Sequence, residues 1–496
     1  MIRKILISLL LTFPFAIACW GAVDQASFLI KGAMIADGTG KSLFSADLRV
    51  RKGKISDIGS LKAKKGEIVI DASGLVLAPG FIDIHNHSEE GLLEEGAAAN
   101  QVSQGITTIL VGPDGGSPFP IADYLEKLSG RIAPNVGAFI GHATLREQVM
   151  KGGFAREATA EEIESMAKLL KTSMKQGAFG LSSGLEYDVG FSASTEEIIA
   201  LAKVAGKYKG IYMTHMRDEE EGLLDAIREA IRISKEGGLP LQISHLKAGN
   251  RNVWGKSKDA IELVEEARRS GADITADAYP YTAWASTITV LVPSRKHDDR
   301  SMVEKGLSNV GGADKVLITS CRAHKEYEGK TLLEIAEGEK TSPADIYMKI
   351  VRDGGAGVVC NSMNEADVEA FYKQSWVMVS SDGGIGSRHP RGTGTFPRVL
   401  GKFSRTNMWF SIEEAVRKMS YAPATRLGLK DRGRIAKGKR ADLVLFDSKT
   451  VTDNATFGEP QKLSSGIAKV FVNGEIVWEN NSVTGKLPGM ILKRGK

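Results

Sequence analysis

The chain has 496 residues and 42% apolar content, enough for a large core and more than a usual single domain, though barrel enzymes often run this long. Its 65 basic and 60 acidic residues leave a net charge of only +5, with Lys and Arg scattered rather than clustered, so no nucleic-acid surface is read from it. Three cysteines cannot staple a scaffold of this size; one Cys321–Cys360 bridge is open, and the sequence does not decide it.

Residues 1–22 differ in texture from the rest of the chain. Arg3 and Lys4 make a basic start, and Ile5 to Ala18 form an uncharged, largely apolar run broken by Pro14, ending in the small-residue pattern Ala16-Ile17-Ala18. This reads as a secretory signal, too short to span a bilayer as a mature helix, so no stable membrane span is expected. Cleavage near Ala18 or Ala22 is the preferred reading. Cys19 leaves a lipid anchor as the alternative, weakened because Ala16 stands where such sites usually carry Leu. The expected location is outside the cytoplasm, periplasmic or secreted.

From Ser27 to Ile70 the sequence predicts short strands with tight turns: Phe28–Ile30, Leu48–Val50, Lys54–Ile58 and Ile68–Ile70, with glycines at 32, 38, 40 and 53 where the chain must reverse. The same texture returns at Asp442–Phe446, Ala468–Val472 and Glu475–Trp478, with Asn473-Gly474 as a hairpin signal. Strands at both ends predict one small β-sandwich built from the two termini, over residues 23–77 and 428–496.

Between them, over residues 78–427, apolar runs alternate with helical stretches. The runs are Phe81–His87, Gly105–Gly112, Val136–His142, Ala178–Gly184, Ile211–His215, Leu239–His245, Asp273–Tyr281 and Trp376–Asp382. Thr159–Gln176, Ser194–Tyr208, Glu221–Lys235 and Lys258–Ser270 carry apolar residues at three- and four-residue spacing, and Ser194 with Glu197 forms a capping-box pattern. The fold predicted is α/β, an eight-stranded TIM-like (β/α)8 barrel. The alternation breaks between Tyr281 and Trp376, which places an inserted subdomain at about 285–355, before the last barrel strand and near the mouth.

Active groups of such a barrel come from the C-terminal ends of its strands. There the sequence sets His85 and His87, whose i, i+2 spacing puts both on one face of an extended backbone, together with His215, His245 and Asp382. Each histidine alone is more often structural. Four imidazoles and a carboxylate converging on one mouth are the donor set of a hydrolytic metal site, most simply zinc with a position open to water. Asp382 is the catalytic acid–base of that reading, orienting the water and carrying its proton to the leaving nitrogen.

Several segments carry a family resemblance. Gly80-Phe81-Ile82-Asp83-Ile84-His85-Asn86-His87, the two later histidines, Ser381-Asp382 and the closing run from Ala422 to Leu443 resemble the amidohydrolase superfamily. Ser183-Gly184-Leu185-Glu186-Tyr187, Thr214–Glu219, Ile243–Lys247, Asp277–Thr282 and His389–Arg398 resemble its D-aminoacylases, the N-acyl-D-amino-acid deacylases. The resemblance implies one tightly held zinc on His215 and His245 and a second, weaker position near His85, His87 and Asp382, with other divalent metals able to substitute. It also implies that Lys247, Tyr279 and Arg391 receive the substrate's α-carboxylate, with a hydroxyl such as Ser286 or Thr287 near the substrate. An ammonium, a phenol and a guanidinium can indeed all donate to a planar anion.

One departure stands out. Family members commonly place a cysteine ligand after the second strand in a Gly-Asn-Cys-Gly context, whereas here Val111-Gly112-Pro113-Asp114-Gly115-Gly116 puts Asp114 there. A carboxylate is harder than a thiolate and moves the preference toward oxygen-loving ions. Glu186, on the fourth strand, is the other residue that could complete the site, and the sequence leaves Asp114 and Glu186 undecided as it leaves one metal or two. His142 is read either as lining the pocket or as structural. His297 and His324 are read as surface residues of the insertion, and Glu219 and Glu220 as supports of a helix N-terminus.

The expected activity is metal-dependent hydrolysis of N-acyl-D-amino acids to a carboxylate and a free D-amino acid, the small-molecule substrate being the partner. The alternatives are a related hydrolase of cyclic amides, of hydantoin or dihydroorotate type, or of dipeptides, and, in a different class, an exported binding protein that kept the barrel and lost its activity. Preferred side chain and acyl group are not legible.

Overall fold

Gly80 is the point at which the chain passes from one architecture to another. In the computed structural model, which describes residues 27–495, strand Val76–Pro79 belongs to the terminal sheet and strand Phe81–Asp83 opens the barrel. The Gly80 N–H donates to Asp442 O (2.8 Å), and a Cβ there would lie 2.3 Å from the Thr107 side chain, so only glycine lets the two units approach this closely. The signal segment read over residues 1–22, with Cys19, lies outside the described residues. Among the described residues no helix is long and apolar enough to cross a membrane.

The terminal strands form one nine-stranded sheet. Its order runs Ser482–Val483, Glu475–Glu479, Ile467–Val472, Leu443–Phe446, Val76–Pro79, Phe28–Ile35, Phe44–Arg51, Lys54–Gly59, with Ile68–Asp71 also pairing Phe28–Ile35. Phe28 and Phe471 stand three places apart in that order, about 14 Å in a flat sheet at the usual strand spacing. Their rings nevertheless stack with centroids 5.1 Å apart. The sheet therefore curls over its own core, Ile30, Leu48, Leu77, Leu445 and their neighbours, which gives the sandwich. At the Asn473-Gly474 turn both residues have positive φ, 48° and 84°, the type I′ geometry that matches strand twist.

The barrel strands are Phe81–Asp83, Ile106–Val111, Asn135–Ala138 with Ile140–Gly141, Gly180–Gly184, Ile211–His215, Leu241–Ile243, Ile274–Ala278 and Val377–Val379, all parallel to their neighbours. The last and first close through their C-terminal ends, where Asp382 N–H donates to His85 O (3.0 Å) and His87 N–H to Gly383 O (2.7 Å). The seam is made by residues singled out for chemistry. Helices Ala160–Gln176, Thr195–Lys207, Leu223–Gly237 and Ser257–Arg269 cover the outside. The full capping box falls at Thr159 and Glu162; Ser194 caps its helix, but the Glu197 carboxylate turns away to buried His142 and Arg146.

Between the seventh and eighth strands, Gly357–Cys360 pairs antiparallel with both Trp284–Thr287 and Val316–Ser320, carrying helices Arg300–Asn309, Leu332–Glu339 and Pro343–Arg352. The excursion runs to Cys360, past the interval read from spacing, because its last strand returns to the first. Cys360 lies opposite Val316, whereas Cys321 follows the far end of that strand, so the Cys321–Cys360 bridge does not form and both thiols are free and buried.

Sheet and barrel are locked by one buried carboxylate. Asp442 accepts from Arg432 Nη1 (2.5 Å), Asn473 N–H (2.6 Å) and Asn135 Nδ2 (3.1 Å), and Asn473 Nδ2 donates in turn to Asn135 Oδ1 (2.8 Å). Asp442→Ala takes from Arg432 its buried partner, leaving only the half-exposed Asp431, and should cost about 3–5 kcal/mol, with Asp442→Asn costing less. Equal melting temperatures of wild type and Asp442→Ala would show that the network contributes nothing.

Candidate active site

The barrel's C-terminal rim gathers the side chains in two overlapping groups. His85, His87, Asp114 and Asp382 each offer one atom to the first, and Asp114, His215 and His245 to the second, all within 4.8 Å of one another in each group. Asp114 Oδ2 is common to both, lying 3.1 Å from His85 Nε2, 3.4 Å from His87 Nε2 and 3.3 Å from His245 Nε2. Asp382 Oδ1 lies 3.3 Å from His85 Nε2 and 3.2 Å from His87 Nε2. His215 Nδ1 and His245 Nε2 face each other at 2.7 Å.

Glu186 stands on the other side of His215, its Oε2 2.7 Å from Nε2. The choice left open between Asp114 and Glu186 thus takes a geometric form: Asp114 sits between the two groups, and Glu186 fixes the ring edge that faces away from them, leaving Nδ1 free to accept. Glu186, His215 and Glu219 make a third, smaller group.

The sequence reads Glu219 as helix support, and the structure corrects this. The helix begins at Leu223, and Glu219 is 6% exposed in the preceding loop, with Oε1 3.0 Å from His245 Nδ1 and Oε2 bonded to Lys247 Nζ. Glu220 is equally buried and lines the same cavity, its carboxyl pushed well up by burial and by Glu186 and Asp218. Two further carboxylates escape the sequence reading although both stand in the family motifs. Asp277 accepts from His245 N–H (2.9 Å) and Ser380 Oγ (2.7 Å), and Asp83 accepts from Ser381 N–H (3.0 Å) and Asn86 Nδ2 (2.8 Å). The signal that could have found them is an acid inside an apolar strand, which burial tolerates only with partners.

Lys247, Tyr279 and Arg391 come together beside the second group, with Arg391 and Lys247 4.7 Å and 5.8 Å from the centre of the Tyr279 ring. Arg391 Nη1 is 2.7 Å from Asp382 Oδ2, and Lys247 Nζ is 2.8 Å from His245 Nδ1. Ser286, on the insertion's first strand, lines the cavity they form. His142 lies outside the mouth, fully buried against Glu197, which settles it as structural. His297 and His324 are bound within the insertion, to Tyr347 Oη and to Asp353, and are half-buried rather than free surface groups.

The charge balance favours a cation. Burial opposes charge on Asp114 and Asp382, but imidazoles around the first, and Arg391 and His85 around the second, hold both well below the usual carboxylate range. Burial pulls the imidazoles down, yet the carboxylates more than offset it, raising His85 well above its ordinary value and His87 and His245 to about 9. Asp114 Oδ1 is buried without a hydrogen-bond partner. Nitrogen and oxygen donors facing inward from several strands, with an unpartnered buried oxygen among them, fit one or two divalent ions.

A parallel barrel with this donor set at its C-terminal rim defines a class, the metal-assisted barrel hydrolases. The comparisons narrow it. The model of the Amidohydrolase family matches residues 76–477. A D-aminoacylase of Alcaligenes xylosoxydans xylosoxydans is 36% identical, covering 94% of this chain and 97% of its own, and an N-acyl-D-aspartate deacylase from the same organism is 35% identical, covering 96% of each. The crystal structure of an N-acyl-D-glutamate deacylase from Bordetella bronchiseptica, complexed with zinc and a phosphonate mimic of the tetrahedral intermediate, superposes with a TM-score of 0.86 at 32% identity over 95% of this chain and 100% of that one. The chain belongs to the amidohydrolase family.

Because His87 and His245 hold protons up to about pH 9 in the metal-free protein, while metal coordination needs neutral nitrogen, ion and proton compete. Zinc added to chelator-stripped protein at pH 7.5 should release about one to two protons per ion, and affinity should rise with pH toward 9. Calorimetric titrations in buffers of different ionisation heat measure the release; zero protons would contradict the charge balance.

Proposed function

We propose that the protein hydrolyses the amide of N-acyl-D-amino acids, releasing a carboxylate and the free D-amino acid, and that zinc is its metal. The observation that carries this is the placement of Lys247, Tyr279 and Arg391 together at one side of the histidine–aspartate cluster, in a cavity also lined by His215, His245 and Asp382. An ammonium, a phenol and a guanidinium converging there suit an α-carboxylate, and they set the amide of such a substrate over the cluster.

His215, His245 and Asp114 would hold a first ion, and His85, His87, Asp114 and Asp382 could provide a second position. The carboxylate of Asp114 where relatives of this family carry cysteine makes cobalt and manganese workable alternatives. A divalent ion bound there would supply an activated water and polarise the carbonyl. Asp382, kept ionised beside Arg391, takes the water's proton and delivers it to the nitrogen as the C–N bond breaks, so that water's hydroxyl joins the acyl carbon and its hydrogen leaves with the amine. Glu219 steadies His245 and Lys247, and Glu186 steadies His215, in the manner of outer-shell carboxylates. Ser286 lies where it can donate to the substrate.

Lys247→Ala and Arg391→Ala should each lower kcat/KM for N-acetyl-D-amino acids by about 10²-fold while bound zinc stays at one ion or more per chain. Undiminished turnover of the D substrates would remove the carboxylate clamp, and no turnover of any D substrate by fully metal-loaded wild type would favour a cyclic amide. A purified chain holding far less than one ion would instead identify an inactive binding protein.

The same proposal has the protein act outside the cytoplasm, supported by the basic start and apolar run of residues 1–22. N-terminal sequencing of the exported protein should begin at a free Cys19 or at Val23; a blocked, acylated Cys19 would mean a lipid anchor.

A further inference from the structure

A second cleft opens from the same cluster, on the side of His87 and Asp114, with a volume of about 800 Å³. Its walls are mostly apolar: Leu93, Pro113, Pro118, Tyr124 and Ile385. Leu93 is 50% exposed, an unusual setting for leucine beside a polar cluster. The walls are tied to one another before anything binds. Tyr124 Oη donates to Glu89 O (2.8 Å), the Glu89 carboxylate accepts the Gly112 N–H (2.7 Å), and Gly91 packs so closely on Ile385 that a Cβ would lie 2.5 Å from it. No Lys or Arg lines the cleft, whereas Glu89, Glu90 and Asp114 do.

We infer that this cleft receives the acyl group, and that the acyl group is a neutral alkyl chain of medium length, hexanoyl to octanoyl, rather than acetyl or a dicarboxylic acyl group. The inference rests on the proposed function. With the α-carboxylate on Lys247, Tyr279 and Arg391 and the carbonyl carbon over the cluster, the amide nitrogen points to the clamp. The carbonyl's other substituent must then leave on the side of His87. A cleft of this size is far more than a methyl group needs. Its apolar walls reward each added methylene, and its carboxylates repel an anionic chain end.

The test uses zinc-loaded enzyme and one D-amino acid carrying acetyl, butyryl, hexanoyl, octanoyl or succinyl groups. kcat/KM should rise up to about fourfold per methylene from acetyl to hexanoyl, with the succinyl compound the poorest. In Leu93→Asp the hexanoyl-to-acetyl ratio should collapse toward one. A series that is flat or falls from acetyl onward in the wild type overturns the acyl assignment and leaves the proposed function standing. So does a Leu93→Asp variant that changes the ranking of D side chains and not of acyl groups. No turnover of any D compound by the zinc-loaded enzyme removes both.

Discussion

One carboxylate oxygen, Asp114 Oδ2, lies within 3.4 Å of nitrogens from three imidazoles, and much of the rim is arranged to keep it there. Asp114 follows Pro113 and has φ 53°, between Gly112 at 78° and Gly115 at 83°. Non-glycine residues avoid this left-handed region, so the conformation must be held from outside. The holding comes from the fourth strand. A Cβ on Gly184 would lie 2.3 Å from Asp114 O and one on Gly115 2.8 Å from Gly184 N, while Ser182 Oγ donates to Gly112 O (2.6 Å). Backbone packed directly on backbone drives the Pro-Asp-Gly-Gly turn inward and leaves its carboxylate facing the histidines. His245 (φ 31°) and Asp382 (φ 47°) are bent in the same sense, so left-handed backbone recurs where these strand ends turn their side chains into the mouth.

Around that centre three of the four imidazoles face a carboxylate outside the two groups. Glu186 holds the outer edge of His215, while Glu219 Oε1, 3.0 Å from His245 Nδ1, and Asp277, 3.3 Å from His85 Nδ1, act through charge without hydrogen-bonding alignment, Asp277 also accepting the His245 N–H. Without an ion the arrangement meets its buried acids with protonated imidazoles, Lys247 and Arg391, at a cost in desolvation. It becomes favourable when positive charge enters, which makes the metal-free fold and the loaded fold different electrostatic objects built on the same backbone. The curled terminal sheet adds rigidity from below, since the strand that enters the barrel at Phe81 is anchored at Gly80 to Asp442 before it reaches His85.

Much of this is legible in the chain. The eight barrel runs are visible because buried parallel strands are apolar without interruption, and the ligand candidates because a polar residue ending such a run is seldom there for packing. The central strand Val76–Pro79 is not, since Pro79 breaks the strand signal and the run merges with Phe81–Asp83. Glu197 and Glu219 mislead for one shared reason. An acid near a helix start has a local use, and local rules assign it there. Here Arg146 and His142 claim Glu197, and Lys247 and His245 claim Glu219, partners distant in sequence and invisible to spacing. The Asp114 position is flagged by its departure from the family pattern, yet only backbone packing separates it from Glu186.

The clamp shows how closely binding and chemistry share their charges. Lys247 and Arg391 are not idle cations awaiting an anion: the first is engaged by Glu219, the second by Asp382. Under the proposed function an arriving α-carboxylate would share or exchange partners with these two acids, Glu219 and Asp382. Exchange between charge-assisted bonds in a buried site loses little enthalpy if the newcomer matches the geometry and much if it does not. A substrate lacking a carboxylate at that position leaves Arg391 on Asp382 and Lys247 on Glu219, with the acids restrained. In that proposal recognition would consist as much in releasing Asp382 and Glu219 from their cations as in seating the substrate, linking which molecule is bound to whether the proton can move.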